Sequence, residues 1–465
     1  MRLAPLALAC VVACTPVTGR PTQDTDAATA PDVPDVPDVP DVPDVPLVSN
    51  APPCPSGGRL TLDARLATLT PSVVNALHPW FNASPRGAFL DALSRPVIYG
   101  QCRNCADVTA PRAALWRTPE TLLRVETGFG GAGRAFDGTA QRYASVWLTG
   151  SADAEGRLVV GGFQSQGGDA QGVIARFASN GAVDPAFAAQ GRLVVPAERF
   201  AGSRFIPYAQ WIDARGMVFV GTDVPLAEGP PARALALRLD STGAFDPAFG
   251  DGGTVRDDTL RGCFDLEPDG DAYVLACRAA SGRPALLRLG SDGRPQGFAG
   301  GDARREHTAA PAGFRPTVLE RDGAGRWIIV GAVTDLDSDR AAVPALVRFL
   351  PDGTADPSYG ARGLAQLPGV RRTWQNALRS SARLHCDDRM LVGVEANHRP
   401  AVAVFRGDGV LDDAVGVRGL LLLREAADED PETYVYGLLS LRLTADVSVL
   451  SWYNVRSFDT ARILP

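Results

Sequence analysis

The residues able to do chemistry are few and scattered. Four histidines, His78, His307, His385 and His398, fall in separate parts of the 465-residue chain and never at a spacing that holds zinc, so no metal site is expected. Six cysteines follow Cys14, at Cys54, Cys102, Cys105, Cys263, Cys277 and Cys386. Cys263 and Cys277 flank the Pro268-Asp269-Gly270 turn, which sets them opposite each other across one hairpin, to bridge or simply to pack. Cys102-Arg103-Asn104-Cys105 is a C-x-x-C without the strand-to-helix context of a redox motif, and Ala106 stands where haem attachment needs histidine. A loop disulfide is the expectation there. Asp335, Asp337 and Asp339 alternate as at the start of a calcium loop, yet the glycine and distant glutamate are missing, which favours a solvated loop. No Gly-x-Ser-x-Gly elbow and no phosphate-cradling glycine loop occurs. Nucleophilic hydrolysis therefore lacks its nucleophile, and no cofactor is expected.

The elements that must position these residues are read from a repeat. Gly156-Arg157-Leu158-Val159-Val160-Gly161 returns as Gly216 to Gly221, Gly325 to Gly331 and Arg389 to Gly393, with weaker copies at Arg95 to Gly100, Asp271 to Cys277 and Val447 to Ser451. The spacing is about sixty residues. A second apolar run follows each copy, as at Val173 to Phe177, Ala234 to Leu239, Ala285 to Leu289 and Ala345 to Phe349, and then a glycine turn. After the turn come Asp184-Pro185-Ala186-Phe187, Asp246-Pro247-Ala248-Phe249 and Asp356-Pro357-Ser358-Tyr359, each leading to a short strand. Another apolar run precedes each copy, as at Tyr143 to Leu148 and Pro207 to Ile212. Four short strands per unit, repeated, predict an all-β propeller, because one small sheet cannot cover both of its faces alone. The 49 glycines and 37 prolines fit many turns.

The unit resembles the delta-60 repeat, a bacterial propeller-type family whose units run G-K-I-L-V-x-G, A-L-x-R-L-x-x-D-G and L-D-x-S-F-G; Leu235 to Gly253 is nearly that pattern. The resemblance implies a propeller and no particular activity. Counting gives seven blades of four antiparallel strands, if Val73 to Gly133 is admitted as a degenerate first unit with an insertion near Pro79 to Leu93. The last unit ends at Arg462-Ile463-Leu464 without a fourth strand, and Gly57 to Leu62 reads as an N-terminal fourth strand that closes the ring. Six blades, closed by Leu122 to Phe136, is the alternative count.

Ahead of the repeats, Leu3 to Ala13 is apolar and ends in Val11-Val12-Ala13-Cys14, which resembles a bacterial lipobox. The resemblance implies a signal peptide over 1–13, lipidation of Cys14 and a membrane anchor, in the outer rather than the inner membrane of a cell envelope. An ordinary secretory signal cleaved nearby is the alternative. Asp-Val-Pro repeats from Pro31 to Pro46 predict a stiff, solvated linker within 14–53, leaving 54–465 for the propeller.

With a net charge of -7 and no lysine among 46 basic residues, a general nucleic-acid partner is not expected. Features that recur in every blade are architectural: Arg176, Arg238, Arg288, Arg348 and Arg462 on the third strand, and Asp184, Asp246 and Asp356 in the following turn. Function falls to what does not repeat, namely the connections after strands two and four, which share one face. That loop face offers Asp335, Asp337, Asp339, Arg371, Arg372, Asn397, His398, Trp452 and Tyr453 as candidate ligand-binding residues. The reading is a non-enzymatic binding or scaffolding module for a protein or glycan; the alternatives are a hydrolase or lyase acting at that face and a purely structural envelope protein.

Overall fold

Each apolar run of the repeat becomes a strand with both faces covered. The computed structural model describes residues 61–62, 83–102, 112–117, 126–131, 133–136, 144–166, 169–200, 203–225, 234–299, 301–334, 342–367, 382–385, 388–396, 399–422, 437–442, 448–453 and 458–464, all within one unit, Pro52–Pro465. The first strand is β1 (Thr61–Leu62). Blade one holds β2 (Ala83–Leu90), β3 (Pro96–Cys102), β4 (Arg112–Arg117) and β5 (Arg134–Phe136). Blade two holds β6 (Ala144–Ala152), β7 (Leu158–Gln166), β8 (Asp169–Phe177) and β9 (Arg192–Val194). Blade three holds β10 (Ser203–Asp213), β11 (Gly216–Pro225), β12 (Ala234–Leu239) and β13 (Thr254–Asp257). Blade four holds β14 (Leu260–Asp269), β15 (Ala272–Ala279), β16 (Pro284–Leu289) and β17 (Arg304–Glu306). Blade five holds β18 (Phe314–Arg321), β19 (Trp327–Thr334), β20 (Ala342–Phe349) and β21 (Leu364–Gln366). Blade six holds β22 (Ala382–Leu384), β23 (Met390–Ala396), β24 (Arg399–Phe405) and β25 (Leu420–Leu422). Last come β26 (Gly437–Arg442), β27 (Ser448–Tyr453) and β28 (Phe458–Leu464).

The sheets are antiparallel and four-stranded, and six of them are cut from four consecutive strands. The expectation of seven like blades is corrected here. The regular blade, made from one run of chain, occurs six times. The remaining sheet is assembled from both ends of the sequence in the order β1-β28-β27-β26; of the expected strand Gly57 to Leu62, the described residues are Thr61–Leu62, and 57–60 lie outside them. Thr61 pairs with Leu464 and Leu62 with Ile463. The first strands of successive blades neighbour one another from β2 through β22, and β26 lies between β22 and β2.

Strand β11 shows why the runs are continuously apolar. Met217 and Phe219 point toward blade two, into a cluster with Val159, Ile174 and Phe187, while Val218 and Val220 point toward blade four, against Leu266, Leu275 and Cys277. Alternation of period two meets apolar neighbours on both sides, so neither face can be polar. Each such buried side chain contributes about 1.5–3 kcal/mol of transfer free energy.

First strands carry a register shift at one level in five blades, between Pro85 and Gly87, Trp147 and Thr149, Pro207 and Ala209, Cys263 and Asp265, and Pro316 and Val318. These are edge strands, so a proline before the bulge interrupts no ladder. This corrects the reading of Pro79 to Leu93 as an insertion, because Ala83–Leu90 is the first strand of blade one.

Candidate functional site

The repeated arginines are spent between blades. On β8, Arg176 Nε donates to Asp184 Oδ2 at 2.7 Å, and its Nη1 donates across the blade boundary to the Ser241 carbonyl. Its guanidinium carbon stands 4.9 Å from the centre of the Phe187 ring. Arg238 does the same with Asp246 at 2.6 Å, the Ser291 carbonyl and Phe249 at 4.8 Å, as does Arg348 with Asp356 at 2.8 Å, the Gly407 carbonyl and Tyr359 at 4.5 Å. In blade one Arg117 uses Glu126 in place of aspartate, with the Ser179 carbonyl and Phe129. Each aromatic ring packs on a hairpin glycine of the next blade: a Cβ on Gly243 would lie 2.7 Å from Phe187. Beside each ring a backbone N–H donates to the same turn, Ala188 to Thr242, Gly250 to Asp292 and Gly360 to Asp408, all at 2.7 Å. Acid, guanidinium and ring thus form an inter-blade clasp, in which the charge-assisted hydrogen bonds and ring contact reinforce each other.

The clasp breaks at two described positions. In blade four Gln296 replaces the acid, and Arg288 turns to Asp269 at 2.9 Å. In blade six Val404 stands in the arginine position, shown by the same Asp412 N–H to Val404 carbonyl hydrogen bond at 2.9 Å, and Val415 replaces the ring. Asp412 instead faces Arg389 at 3.5 Å. The next sheet's third and fourth strands, β28 and β1, come from opposite ends of the sequence, so no hairpin joins them to receive a clasp.

Charges that do not repeat gather on the first strands. Glu320 of β18 and Arg383 of β22 form an ion pair at 3.1 Å across the blade five to six boundary. Burial pushes the Glu320 carboxyl above the ordinary range; Arg383 draws it back down and Asp265 adds to the rise. The negative charges of Glu320, Glu267 and Asp265 raise Arg383, Glu320 most. Asp265 also anchors β18, accepting from the Leu319 N–H at 2.9 Å. The sequence did carry a signal for this group: Glu267, Glu320 and Arg383 each stand two residues before the position that opens the turn between the first and second strands, Asp269, Asp322 and His385. An aspartate at that position caps the turn: Asp322 Oδ1 accepts from the Ala324 and Arg326 N–H groups at 3.0 and 2.8 Å.

His307, after β17, is fully buried, with its ring edge-on to Phe349 at 5.1 Å. Burial lowers its pKa. Cys263 and Cys277 are joined by a disulfide, directly opposite each other on β14 and β15. Cys102 is buried and disulfide-bonded, with its partner outside the described residues; it ends β3 and is not in a loop.

Of the loop-face candidates, Trp452 and Tyr453 are strand residues, closing β27 opposite Leu438 and Gly437. Asp335, Asp337, Asp339, Arg371, Arg372, Asn397 and His398 lie outside the described residues, as do Cys14 and Cys105. The strand ends flanking them, Thr334, Gln366, Ala382 and Ala396, belong to the face where second strands end and first strands begin. Among the described residues no three His, Cys, Asp or Glu side chains converge as a metal would need.

No curated protein matches the chain. Among solved structures it is similar to a Trypanosoma rangeli sialidase in complex with the inhibitor DANA, at 9% identity and TM-score 0.41, covering 82% of this chain and 55% of that one. It is also similar to prolyl oligopeptidase B from Galerina marginata, at 11% identity and TM-score 0.40, covering 84% and 52%. A puromycin hydrolase S511A mutant complexed with PGG gives 12% identity and TM-score 0.42, covering 80% and 50%. The chain therefore spans about half the length of each. Residues 154–187 and 325–359 match a β-propeller family described as a domain of unknown function, DUF5122.

Proposed function

We propose that the protein is a lipid-anchored envelope lipoprotein whose propeller is a non-enzymatic binding or scaffolding module, presenting its unrepeated face to a protein or glycan. The observation that carries this reading is where the charge goes. The ionisable groups that recur are consumed in clasps and turn caps, which leaves recognition to the connections on one face. A lipobox-like cysteine and an Asp-Val-Pro stalk suit a module held off a membrane. The expected anchor is tested by labelling cells with radioactive palmitate: label should enter the wild type, vanish in Cys14→Ala and fractionate with outer membrane. Binding is tested by cosedimenting the full chain with isolated envelope polysaccharide, where retention by wild type and its loss on replacing 397–398 with Gly-Gly is expected. Absence of retention would count against the module.

The alternative reading is a hydrolase or lyase acting at the loop face. Turnover of a glycan by wild type that replacing 397–398 abolishes would establish it in place of the first.

A further inference from the structure

The composite sheet also carries an arginine in the clasp position, but no hairpin of its own to supply the acid. Arg462 stands opposite Val449, as Arg176, Arg238 and Arg348 stand opposite Val159, Val218 and Ile328. In those blades the residue after the arginine pairs antiparallel with the residue before the acid: Phe177 with Val183, Leu239 with Phe245 and Phe349 with Ala355. One step on, the acid faces the arginine. Its N–H donates to the arginine carbonyl at 3.0 Å for Asp184, 3.0 Å for Asp246 and 2.9 Å for Asp356. In an antiparallel ladder each pair fixes the next, so register alone says which residues meet.

Strand β1 meets β28 in that register. Thr61 pairs with Leu464 and Leu62 with Ile463, and the next step sets Asp63 against Arg462. The outer strands of other blades pair differently, with residues that precede the arginine: Arg192 with Ala175, Thr254 with Leu237 and Leu364 with Val347. Although outermost in its sheet, β1 therefore does not repeat β9, β13 or β21. Leu62 holds the place of Val183, and Asp63 follows it as Asp184 follows Val183. Leu66 comes three residues after Asp63, as Phe187, Phe249 and Tyr359 come after their acids, which puts an apolar residue in the ring position. Asp63 and Leu66 themselves lie outside the described residues.

We propose that Asp63 and Arg462 form a clasp of their own, a strap by which the segment entering the propeller fastens the ring to the far end of the same chain. The test is urea unfolding of the full chain in a double-mutant cycle. Asp63→Asn and Arg462→Met should each shift the unfolding equilibrium by about tenfold or more, the range for a hydrogen bond to a charged group. The double variant should be no less stable than Arg462→Met alone, because either change removes the same interaction. Asp63→Glu should keep most of the wild-type stability, since a glutamate already serves Arg117 in blade one. A neutral Asp63→Asn, or losses that add in the double variant, would overturn the clasp. If Arg462→Met does not fold, position 63 still decides: equal losses with Asn and Glu would overturn it. Sedimentation of the wild type and Asp63→Asn completes the test, with monomers expected for both. A wild-type dimer that Asp63→Asn separates would mean that the strap passes to a second copy, and would overturn closure within one chain.

Discussion

Arg238 lies over Phe249, its guanidinium carbon 4.8 Å from the ring centre, and both side chains reach out of their own blade into the next. The ring packs on Gly293 and the guanidinium donates to the Ser291 carbonyl, so a single hairpin turn is held from two sides. Blade packing in this chain is thus a polar clasp laid over an apolar seam.

Arg238→Met should be strongly destabilising. It leaves Asp246 and the Ser291 carbonyl without their donor at a nearly buried site, a loss of about 3 kcal/mol. Arg238→Lys should recover less than half, because one ammonium cannot serve the acid, the carbonyl and the ring in the fork's geometry. Urea denaturation of the three proteins reads this directly.

Gly243→Ala and Gly270→Ala separate backbone strain from packing. Both residues have positive φ, +87 and +62, but a Cβ at 243 would stand 2.7 Å from Phe187 while nothing lies within 4 Å at 270. The strain alone should cost about 1–2 kcal/mol at Gly270, and overpacking should add about 1–3 kcal/mol at Gly243. Equal losses at the two sites would show that the ring does not need the glycine.

His307 should make the fold acid-sensitive. In the unfolded chain it takes up a proton near pH 6.5, whereas in the fold burial keeps it neutral to lower pH, against the backbone of Arg348 and the charge of Asp356, which draw its pKa back up. The unfolded state then binds more protons below that pH, so stability is full above it and falls as pH drops toward the folded pKa. Position 307 corresponds to buried Val195 and Leu367 in blades two and five, so His307→Leu should flatten the decline between pH 7 and pH 5. Unfolding midpoints at several pH values would check it; an unchanged slope would clear His307 of the role.

Reduction of the Cys263–Cys277 disulfide, 14 residues apart, should cost up to about 3 kcal/mol from the loop-entropy relation, less whatever the paired strands already constrain. Denaturation with and without reductant, with Cys263→Ala/Cys277→Ala as control for the reductant, measures it.

Much of the fold was legible in the sequence because the repeat writes each strand in apolar residues at fixed spacing. Leu158 to Gly161 and Val218 to Gly221 could hardly be anything else. Blade one was harder, since Pro85 and Gly87 read as breakers until their place on an unpaired inner edge is known. Trp452 and Tyr453 were assigned to a loop because second strands outrun the recurring phrase; β11 continues four residues past Gly221, to Pro225. Arginine and aspartate were visible as a recurring pair, but the ring three residues after the acid was not seen as their third member. Its partner glycine lies a full blade away, and no local pattern connects Phe187 with Gly243. The unrepeated charges escaped for the same reason: Glu320 and Arg383 meet only across a blade boundary, 63 residues apart.

Every clasp points the same way, from the third strand of one blade to the hairpin of its successor. The joints therefore have polarity: loosening one blade deprives the blade downstream of its grip and leaves the upstream one held. The joint after blade four keeps the ring of Phe298 on Gly353 but not the ion pair, and Val404 and Val415 leave the joint after blade six with neither, so hydrogen exchange should begin at blade six and advance into the composite sheet before it reaches blade two.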